Sequence, residues 1–196
     1  MTLSSRAHLL VDRDGTLLDT CAANMAAYEA AFADHGLDFG PRESQAVADG
    51  RDWKAFFPVD LMADLDLAMT VRGAKEQHLA DLVGDVRLNP SVLRLLESRD
   101  GPHALVTTAS AQSTQMLLAQ FGLSILFQEV ITGDDVVSPK PAPDAYLVAI
   151  SRLGVVPGRA LAIEDSDVGE ASARAAGLAV LRIPHFCTLP SCARAR

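Results

Sequence analysis

The chain has 196 residues, of which 49% are apolar and 21% are charged, as is typical of a folded globular protein rather than a disordered one. This length allows one domain with a smaller inserted module but not two full-sized domains. Lys and Arg number 17 against 25 Asp and Glu, and the formal net charge of −8 argues against general nucleic-acid binding and against anionic membrane surfaces. Taken alone, this acidic balance also argues against an anionic substrate.

The sequence contains no pattern that predicts export or membrane insertion. A short apolar run near the N-terminus ends at Asp12, without the longer apolar region of a signal peptide, and no apolar stretch is long enough to span a bilayer. The three cysteines, Cys21, Cys187 and Cys192, do not indicate a disulfide scaffold. With His185, the last two are only weak zinc candidates, because their spacing is irregular and a fourth ligand is missing. We therefore expect a cytoplasmic protein with no membrane partner.

Short apolar segments alternate with helical patterns along most of the chain. The predicted strands cover residues 7–11, 103–106, 129–132, 160–163 and 178–183. The predicted helices cover residues 24–35, 59–69, 75–83, a segment opening at Pro90, and residues 114–121, 143–153 and 168–176. Continuous apolar runs are typical of parallel strands that are covered on both faces. The alternation predicts an α/β fold, with a Rossmann-like parallel sheet and helices on both of its faces.

The stretch between the first two predicted strands has a different character. Residues 39–88 are a charged and polar mixture with helical patches and no strand signal. A helical stretch of about 70 residues is too long for a simple βα crossover. We therefore predict a core formed by residues 1–18 and 89–196, with a small inserted α-helical cap formed by residues 19–88. Residues 184–196 have little periodicity and are predicted to form a loosely packed tail.

A polar cluster, Asp12-Arg13-Asp14-Gly15-Thr16, directly follows the first predicted strand. Asp12 and Asp14 project to the same side of an extended segment, and a buried pair of like charges is costly unless a cation joins it. Their oxygens are hard ligands suited to Mg²⁺, and one carboxylate can act as a nucleophile while the other transfers a proton. An ordinary Asp-Gly turn explains the same residues about equally well.

Two further candidates follow later strands. Thr107 and Thr108 lie at the end of the second predicted strand, where hydroxyls and backbone N–H groups can hold a phosphate, although a role in the turn or as a helix N-cap is commoner. Lys140 stands between Pro139 and Pro141, which favour an extended, rigid segment. Its ammonium can then lie near paired carboxylates and an anion, whereas a solvated loop lysine is the simpler alternative.

A second acidic cluster, Glu164-Asp165-Ser166, follows the fourth predicted strand, with Gly169 three residues later. Because the carboxyl ends of parallel strands meet at one edge of the sheet, these carboxylates can complete a metal site with the first cluster. The alternative is that Asp165 or Ser166 is a helix N-cap.

In this order, the four clusters resemble the haloacid dehalogenase-like superfamily, which includes many phosphatases. The shared motifs are D-x-D-G-T-L, a Thr after the second strand, K-P-x-P and E-D-S-x-x-G, and they span residues 7–169. The resemblance implies that Asp12 is the nucleophile, Asp14 the general acid/base and Lys140 a further catalytic residue. It implies that the phosphoryl group is held by Thr107, Thr108 and Lys140. It also implies that Mg²⁺ is bound by Asp12, Asp165 and the Asp14 carbonyl, with Glu164 in its outer shell. Asp14 should then have a raised pKa, because it must donate a proton to the leaving oxygen.

The second aspartate also separates subclasses of this superfamily. Dehalogenases lack it and phosphonate-cleaving members replace it with a small residue, so Asp14 argues against both chemistries. The insert after Thr20 resembles the helical cap of the β-phosphoglucomutase and phosphoglycolate-phosphatase branch. Arg13 departs from that branch and is more typical of capless heptose-bisphosphate and histidinol-phosphate phosphatases. Those often carry a cysteine-rich zinc loop, and no Cys lies between Thr107 and Lys140, so the capped branch is favoured.

The resemblance implies a Mg²⁺-dependent phosphatase that acts on a small phosphorylated metabolite through an aspartyl-phosphate, as a monomer or a homodimer. A phosphomutase, which returns the phosphoryl group to the substrate, has the same motifs. A non-catalytic phospholigand-binding protein is the alternative from another class. It is less favoured because the acidic and basic residues of the motifs are intact.

Residues of the predicted cap are candidates for substrate contact. Arg51 or Lys54 could bind a second anionic group, or they could begin a solvated helix whose Trp53 packs inward. Lys75 and His78 lie one helical turn apart and could reach the site, but a solvated helix face is the favoured interpretation.

Overall fold

The structure, a computed structural model, describes residues 8–186, so Cys187 and Cys192 lie outside the described part. The strands of the described residues are β1 (His8–Val11), β2 (Leu18–Asp19), β3 (Arg87–Leu88), β4 (Ala104–Val106), β5 (Glu129–Ile131), β6 (Ala160–Glu164) and β7 (Ala179–Arg182). The main sheet is parallel and five-stranded, in the order β5-β4-β1-β6-β7. All five predicted core strands are present, and the predicted fold class is confirmed.

Helices connect the strands. Those of the described residues are α1 (Cys21–Asp34), α2 (Pro41–Ala48), α3 (Val59–Ala63), α4 (Leu65–Asp81), α5 (Pro90–Glu97), α6 (Ala111–Gln120), α7 (Asp144–Leu153) and α8 (Asp167–Ala175). Local chemistry fixes their ends: the Asn89 side chain accepts from the first backbone N–H groups of α5, and Gly154 ends α7 in the left-handed conformation. None of these helices is long and apolar enough to cross a membrane.

The sheet is buried on both faces because the apolar side chains of its strands alternate between two clusters. Along β1, Leu9 and Val11 join the cluster that includes Leu117 of α6. Leu10, between them, joins the opposite cluster with Tyr146 of α7. β1 pairs with β4 on one side and β6 on the other, and its three last residues are fully buried. Whatever follows β1 therefore emerges at the centre of the sheet's carboxyl edge.

Helices α1–α4 and their connections, residues 20–86, form a separate layer that we call the helical insert. Its centre is an aromatic cluster in which ring centroids lie 5.1–6.2 Å apart, mostly edge to face, formed by Tyr28, Phe32, Phe39, Trp53, Phe56 and Phe57. The insert thus has an apolar core of its own, distinct from the two clusters that cover the sheet.

A short antiparallel ribbon lies where the chain enters and leaves the insert. β2 pairs with β3, with Leu18 opposite Leu88. Asn89 reinforces the junction, since its backbone N–H donates to Leu17 O at 2.8 Å and its amide donates to Thr16 O at 2.9 Å. The expectation of no strand within residues 39–88 is therefore wrong, because a two-residue strand is too short to show any periodicity.

The insert also differs from the predicted helices. A break at Asp64 separates α3 from α4, because its backbone is not helical (φ −112°, ψ 89°) and its carboxylate caps α4 by accepting from Leu67 N at 3.0 Å. α4 then runs without interruption through residues 70–74, which the sequence pattern places between two helices. In the core, α6 begins three residues before the predicted start, since the Ser110 side chain accepts from Ser113 N.

Candidate active site

Three carboxylates converge at the carboxyl edge of β1 and β6. Asp12 follows β1, Glu164 ends β6 and Asp165 comes next, so the strands themselves bring these residues together. All three are buried, and one oxygen of each lies within 4.8 Å of the others. A side chain at Gly169 would collide with the Glu164 carboxylate, which explains the glycine at the end of the E-D-S-x-x-G motif.

One ammonium group joins two of these carboxylates. Lys140 Nζ donates to Asp12 Oδ1 at 2.8 Å, to Glu164 Oε1 at 2.6 Å and to Val106 O at 2.9 Å. The Tyr146 hydroxyl donates to the same Glu164 oxygen at 2.6 Å. Lys140 is only 5% exposed, so the alternative of a solvated loop lysine is wrong.

Within residues 8–186, the cluster holds three carboxylates but only one ammonium, that of Lys140, so its negative charge is not fully balanced. Burial raises the pKa of Asp12 well above its usual range and Glu164 adds to the rise, while Lys140 opposes it. Burial alone would lower the pKa of Lys140, but Asp12 and Glu164 raise it above its usual value. Among the described residues, Glu164 Oε2 is buried without a hydrogen-bond partner. Closely spaced carboxylates with an unsatisfied buried oxygen fit a hard divalent cation.

Asp14 points away from this cluster. Its carboxylate accepts from Arg13 Nη2 at 2.9 Å, from Thr20 Oγ1 at 2.5 Å and from Thr107 Oγ1 at 3.4 Å. Burial alone would raise the pKa of Asp14, but the Arg13 guanidinium and the Thr20 hydroxyl lower it below its usual value. The expectation of a raised pKa is therefore wrong for this arrangement. The metal contact expected of Asp14 is through its backbone carbonyl, and it stays a prediction.

The turn after β4 faces the same edge. Thr107 is buried, and its Oγ1 accepts from Ala109 N at 3.1 Å. The Thr108 hydroxyl donates to Gly50 O of the helical insert at 3.5 Å. Ser110 is the N-cap of α6, so neither threonine has that role, but Thr107 bonds within its own turn through Ala109 N, as the turn alternative expects.

The chain after β7 returns to the acidic cluster. Phe186 N donates to Gly15 O at 2.7 Å, and His185 Nδ1 contacts Asp165 Oδ2. The other Asp165 oxygen accepts from Thr16 Oγ1 at 3.0 Å. Gly15 has φ +75°, and a side chain there would collide with both His185 and Asp165. The expectation of a loosely packed tail is therefore wrong for residues 184–186.

A cavity of about 80 Å³ separates the acidic cluster from the helical insert, and it adjoins a wider one of about 630 Å³. Lys75 and Glu76 of α4 line the smaller cavity, and Lys75 Nζ lies 3.6 Å from Glu76 Oε1. Burial lowers the pKa of Lys75, although Glu76 opposes the change. Lys75 is 4% exposed, so the favoured interpretation of a solvated helix face is wrong for it. Arg72, on the same helix, binds Asp134 of the core at 2.6 Å.

Comparison with known proteins identifies the family. The model of the haloacid dehalogenase-like hydrolases matches residues 9–183. The chain belongs to this family. It is 34% identical to the fructose-1-phosphate phosphatase YqaB of Escherichia coli K12, over 88% of this chain and 93% of that protein. It is also 33% identical to the protein CbbY of Rhodobacter capsulatus, over 90% of this chain and 84% of that protein.

The solved structures agree with the fold. The crystal structure of CbbY from Rhodobacter sphaeroides in complex with phosphate superposes with a TM-score of 0.79 at 28% identity, covering 92% of this chain and 87% of that one. The predicted family is confirmed, and with it the prediction that the chain is a phosphomonoester hydrolase.

The two cationic candidates of the helical insert, Arg51 and Lys54, differ in their position relative to the cavities of this hydrolase. Arg51 lines both cavities, although its side chain is exposed and lies 3.7 Å from Asp49. Lys54 does not line either cavity: it is exposed, and its ammonium lies 5.7 Å from the centre of the Trp53 ring. Trp53 is buried, as the alternative interpretation expected. The structure therefore keeps Arg51 as a candidate and separates Lys54 from the site.

Several residues that line the cavity are not identified as site residues by the sequence patterns. They are Asn24, Tyr28, Asp52, Arg72, Glu76 and Ser110. They lie on helices and turns that meet only because the helical insert packs against the core. No local sequence pattern encodes that packing. The adjacent charges Lys75-Glu76 in α4 gave no such signal, since charged neighbours are common on solvated helix faces and only the structure shows that both are buried.

Proposed function

We propose that this hydrolase is a Mg²⁺-dependent phosphatase that cleaves a small phosphorylated metabolite through an aspartyl-phosphate on Asp12. The observation that carries the proposal is the buried group of Asp12, Lys140 and Asp165, with Asp14 beside it, at the centre of the sheet's carboxyl edge. A buried carboxylate can attack an anion only where cations neutralise the phosphoryl oxygens, and this cluster provides the lysine and the ligands for a metal ion.

Mg²⁺ would be held by Asp12, Asp165 and the Asp14 carbonyl, with Glu164 behind them. When bound, the ion would supply charge neutralisation for the phosphoryl group. Lys140 fixes Asp12 through Oδ1 at 2.8 Å, which leaves Oδ2 for attack on phosphorus. Thr107 and Thr108, on the turn after β4, would donate to the phosphoryl oxygens.

The chemistry then runs in two steps. Asp12 attacks phosphorus, the bond to the leaving oxygen breaks, and Asp14 gives that oxygen a proton. Water next attacks the aspartyl-phosphate, Asp14 takes a proton from it, and the phosphorus–Asp12 bond breaks to release orthophosphate. The hydrogen bonds of Asp14 in this structure suit the second step, in which it acts as a base. The first step requires a proton on Asp14 and therefore a looser contact with Arg13.

We further propose that residues 19–88 are a cap, formed by the helical insert together with the residues of the β2–β3 ribbon that join it to the core. Three contacts seat it on the core: Arg72–Asp134, Ser110–Glu76 and Thr108–Gly50. The smaller cavity lies beneath the insert and adjoins the wider one, and Arg51 lines both, so a substrate would enter from the side of Arg51 and react under the insert.

The decisive experiment measures orthophosphate release from a panel of phosphorylated metabolites that includes fructose 1-phosphate, the substrate named for YqaB. The assay is run with Mg²⁺ and with a chelator, on the wild type and on Asp12→Asn. Release that depends on Mg²⁺ and is lost in the variant supports the proposal. Isomerisation of a sugar monophosphate without orthophosphate would instead show a phosphomutase. Binding without any turnover would show a non-catalytic phospholigand-binding protein.

A further inference from the structure

Arg13, between the two aspartates of the first motif, is fully buried. Its Nε lies 3.2 Å from both carboxylate oxygens of Asp14, and its Nη2 donates to Oδ2 at 2.9 Å. On the other side, its Nη1 donates to Thr114 Oγ1 at 2.8 Å and to Ser113 Oγ at 3.2 Å. Because a guanidinium is planar and rigid, these contacts fix Asp14 relative to α6.

The hydrogen bonds continue from α6 into the helical insert. Ser113 Oγ lies 2.9 Å from Ser110 Oγ, which donates to Glu76 Oε1 of α4 at 2.8 Å. A serine hydroxyl has one hydrogen, and that of Ser110 is given to Glu76, so Ser113 is the donor in the 2.9 Å contact, which is shorter than its other contact, at 3.4 Å with Ser110 O. The donors therefore all point one way, from Arg13 through Ser113 and Ser110 to Glu76. All four side chains are buried, where such bonds are worth more than in water.

We propose that Arg13 is a positioning residue that makes the orientation of Asp14 depend on Glu76, and so on the seating of the helical insert. This path of hydrogen bonds begins at Asp14, the proposed proton-transfer group, and ends at Glu76 of α4, which lines the substrate cavity. Moving α4 away from the core withdraws Glu76 from Ser110, which frees Ser113 to turn and weakens one of the anchors of Arg13. The inference rests on the proposed function, because it takes Asp14 to be the group that protonates the leaving oxygen.

A double-mutant cycle tests the path. The variants are Glu76→Gln, Ser113→Ala and the two together, with Asp14→Asn as reference and Glu97→Gln, an exposed acid on α5, as the matched control. The substrates are p-nitrophenyl phosphate, whose leaving group needs no proton, and the alkyl phosphate of the panel that the wild type cleaves fastest. Leaving-group release is measured in the first turnover, because the second step uses Asp14 as a base for either substrate. Asp14→Asn should slow this release for the alkyl phosphate by about 10²- to 10⁴-fold and affect the aryl phosphate far less.

For each single variant we expect first-turnover release of the alkyl leaving group to slow about tenfold, with release of the aryl leaving group within about twofold of wild type. Because both substitutions cut the same path, the double variant should also lose about tenfold rather than about a hundredfold. Ser113→Ala should leave KM unchanged, and Glu97→Gln should change neither rate. Thermal unfolding shows which variants are folded. Arg13→Lys, which keeps the positive charge but removes the planar guanidinium, replaces any variant that does not fold.

Effects that multiply in the double variant, equal losses on the two substrates, or no loss at all would overturn the inference. If the wild type releases no orthophosphate from either substrate, the proposed function and the inference fall together. If Asp14→Asn is selectively slow on the alkyl phosphate but the cycle is multiplicative, the proposed function stands and the path through Arg13 is wrong.

Discussion

Replacing Lys140 with Met tests the central electrostatic claim, that one ammonium makes the acidic cluster tolerable. The variant keeps a side chain of similar length but removes three hydrogen bonds and the partner of Asp12 and Glu164. Both carboxylates stay buried. Removing one partner of a buried ion pair typically costs about 3–5 kcal/mol, because an uncompensated charge remains. In metal-free buffer we expect the free energy of unfolding to fall by about that amount near neutral pH.

The loss should depend on pH with a definite sign. The folded pKa of Asp12 is raised above its unfolded value, so its ionisation destabilises the fold, and stability is lost as the pH rises through the folded pKa. Lys140 opposes that rise in pKa, and its own pKa is raised, so its contribution is fully present below about pH 10. Without Lys140 the Asp12 pKa rises further. The gap between variant and wild type should therefore widen from about pH 5 to about pH 8.

Urea unfolding in the presence of a chelator measures this gap at the two pH values. Lys54→Met is the matched control, because Lys54 is exposed, and it should change the unfolding free energy by less than about 0.5 kcal/mol. Saturating Mg²⁺ should restore part of the loss in Lys140→Met, since a bound cation replaces some of the missing charge. Equal stability of the variant and the wild type, or a gap that narrows as the pH rises, would refute the reasoning.

Three further predictions concern activity and metal binding. Asp12→Asn should reduce orthophosphate release by more than about 10³-fold while the circular dichroism spectrum stays that of the wild type; a variant with near wild-type release would remove Asp12 as the nucleophile. His185→Ala should weaken Mg²⁺ binding, measured by calorimetry, by about tenfold, because His185 orients a carboxylate ligand, and unchanged affinity would contradict this role. Lys75→Met should lower kcat/KM at least about tenfold. It should cost less stability than Lys140→Met, because burial already lowers the pKa of Lys75 and the Glu76 carboxylate oxygen lies 3.6 Å from its ammonium. The reverse order of the two urea midpoints would show that Lys75 has a structural role.

The sheet could be predicted from the sequence because each of its strands is a short, continuous apolar run followed by polar residues. That signal is local, and it is enough to place Asp12 and Glu164 at the ends of strands. The β2–β3 ribbon could not be predicted in this way. It has two residues in each strand and exists because the entry and exit of the helical insert must meet, as the pairing of Leu18 with Leu88 shows.

The acidic cluster was predictable for the same reason as the sheet, but the surroundings of Asp14 were not. The motif indicates a proton donor, whereas the lowered pKa comes from Arg13 and from Thr20 at the start of the insert. The burial of Lys75 is also a tertiary effect. On α4 alone it belongs to a charged face, and it becomes part of a cavity because Glu76 binds Ser110 and Arg72 binds Asp134.

The distribution of charge resolves the conflict between an acidic chain and an anionic substrate. Of the 17 Lys and Arg residues in the sequence, the smaller cavity is lined by five, namely Arg13, Arg51, Arg72, Lys75 and Lys140, as judged over residues 8–186. Five carboxylates line the same space, from Asp12, Asp14, Asp52, Glu76 and Asp165, so the formal charge of these side chains cancels although the chain as a whole carries −8. A divalent cation bound at the acidic cluster would make this balance positive. The cavity can then attract a phosphate monoester while the acidic exterior repels nucleic acid. Inside the cavity the electrostatic field is set by the nearest charged groups, whereas the field of the net charge acts over longer distances, where dissolved salt screens it.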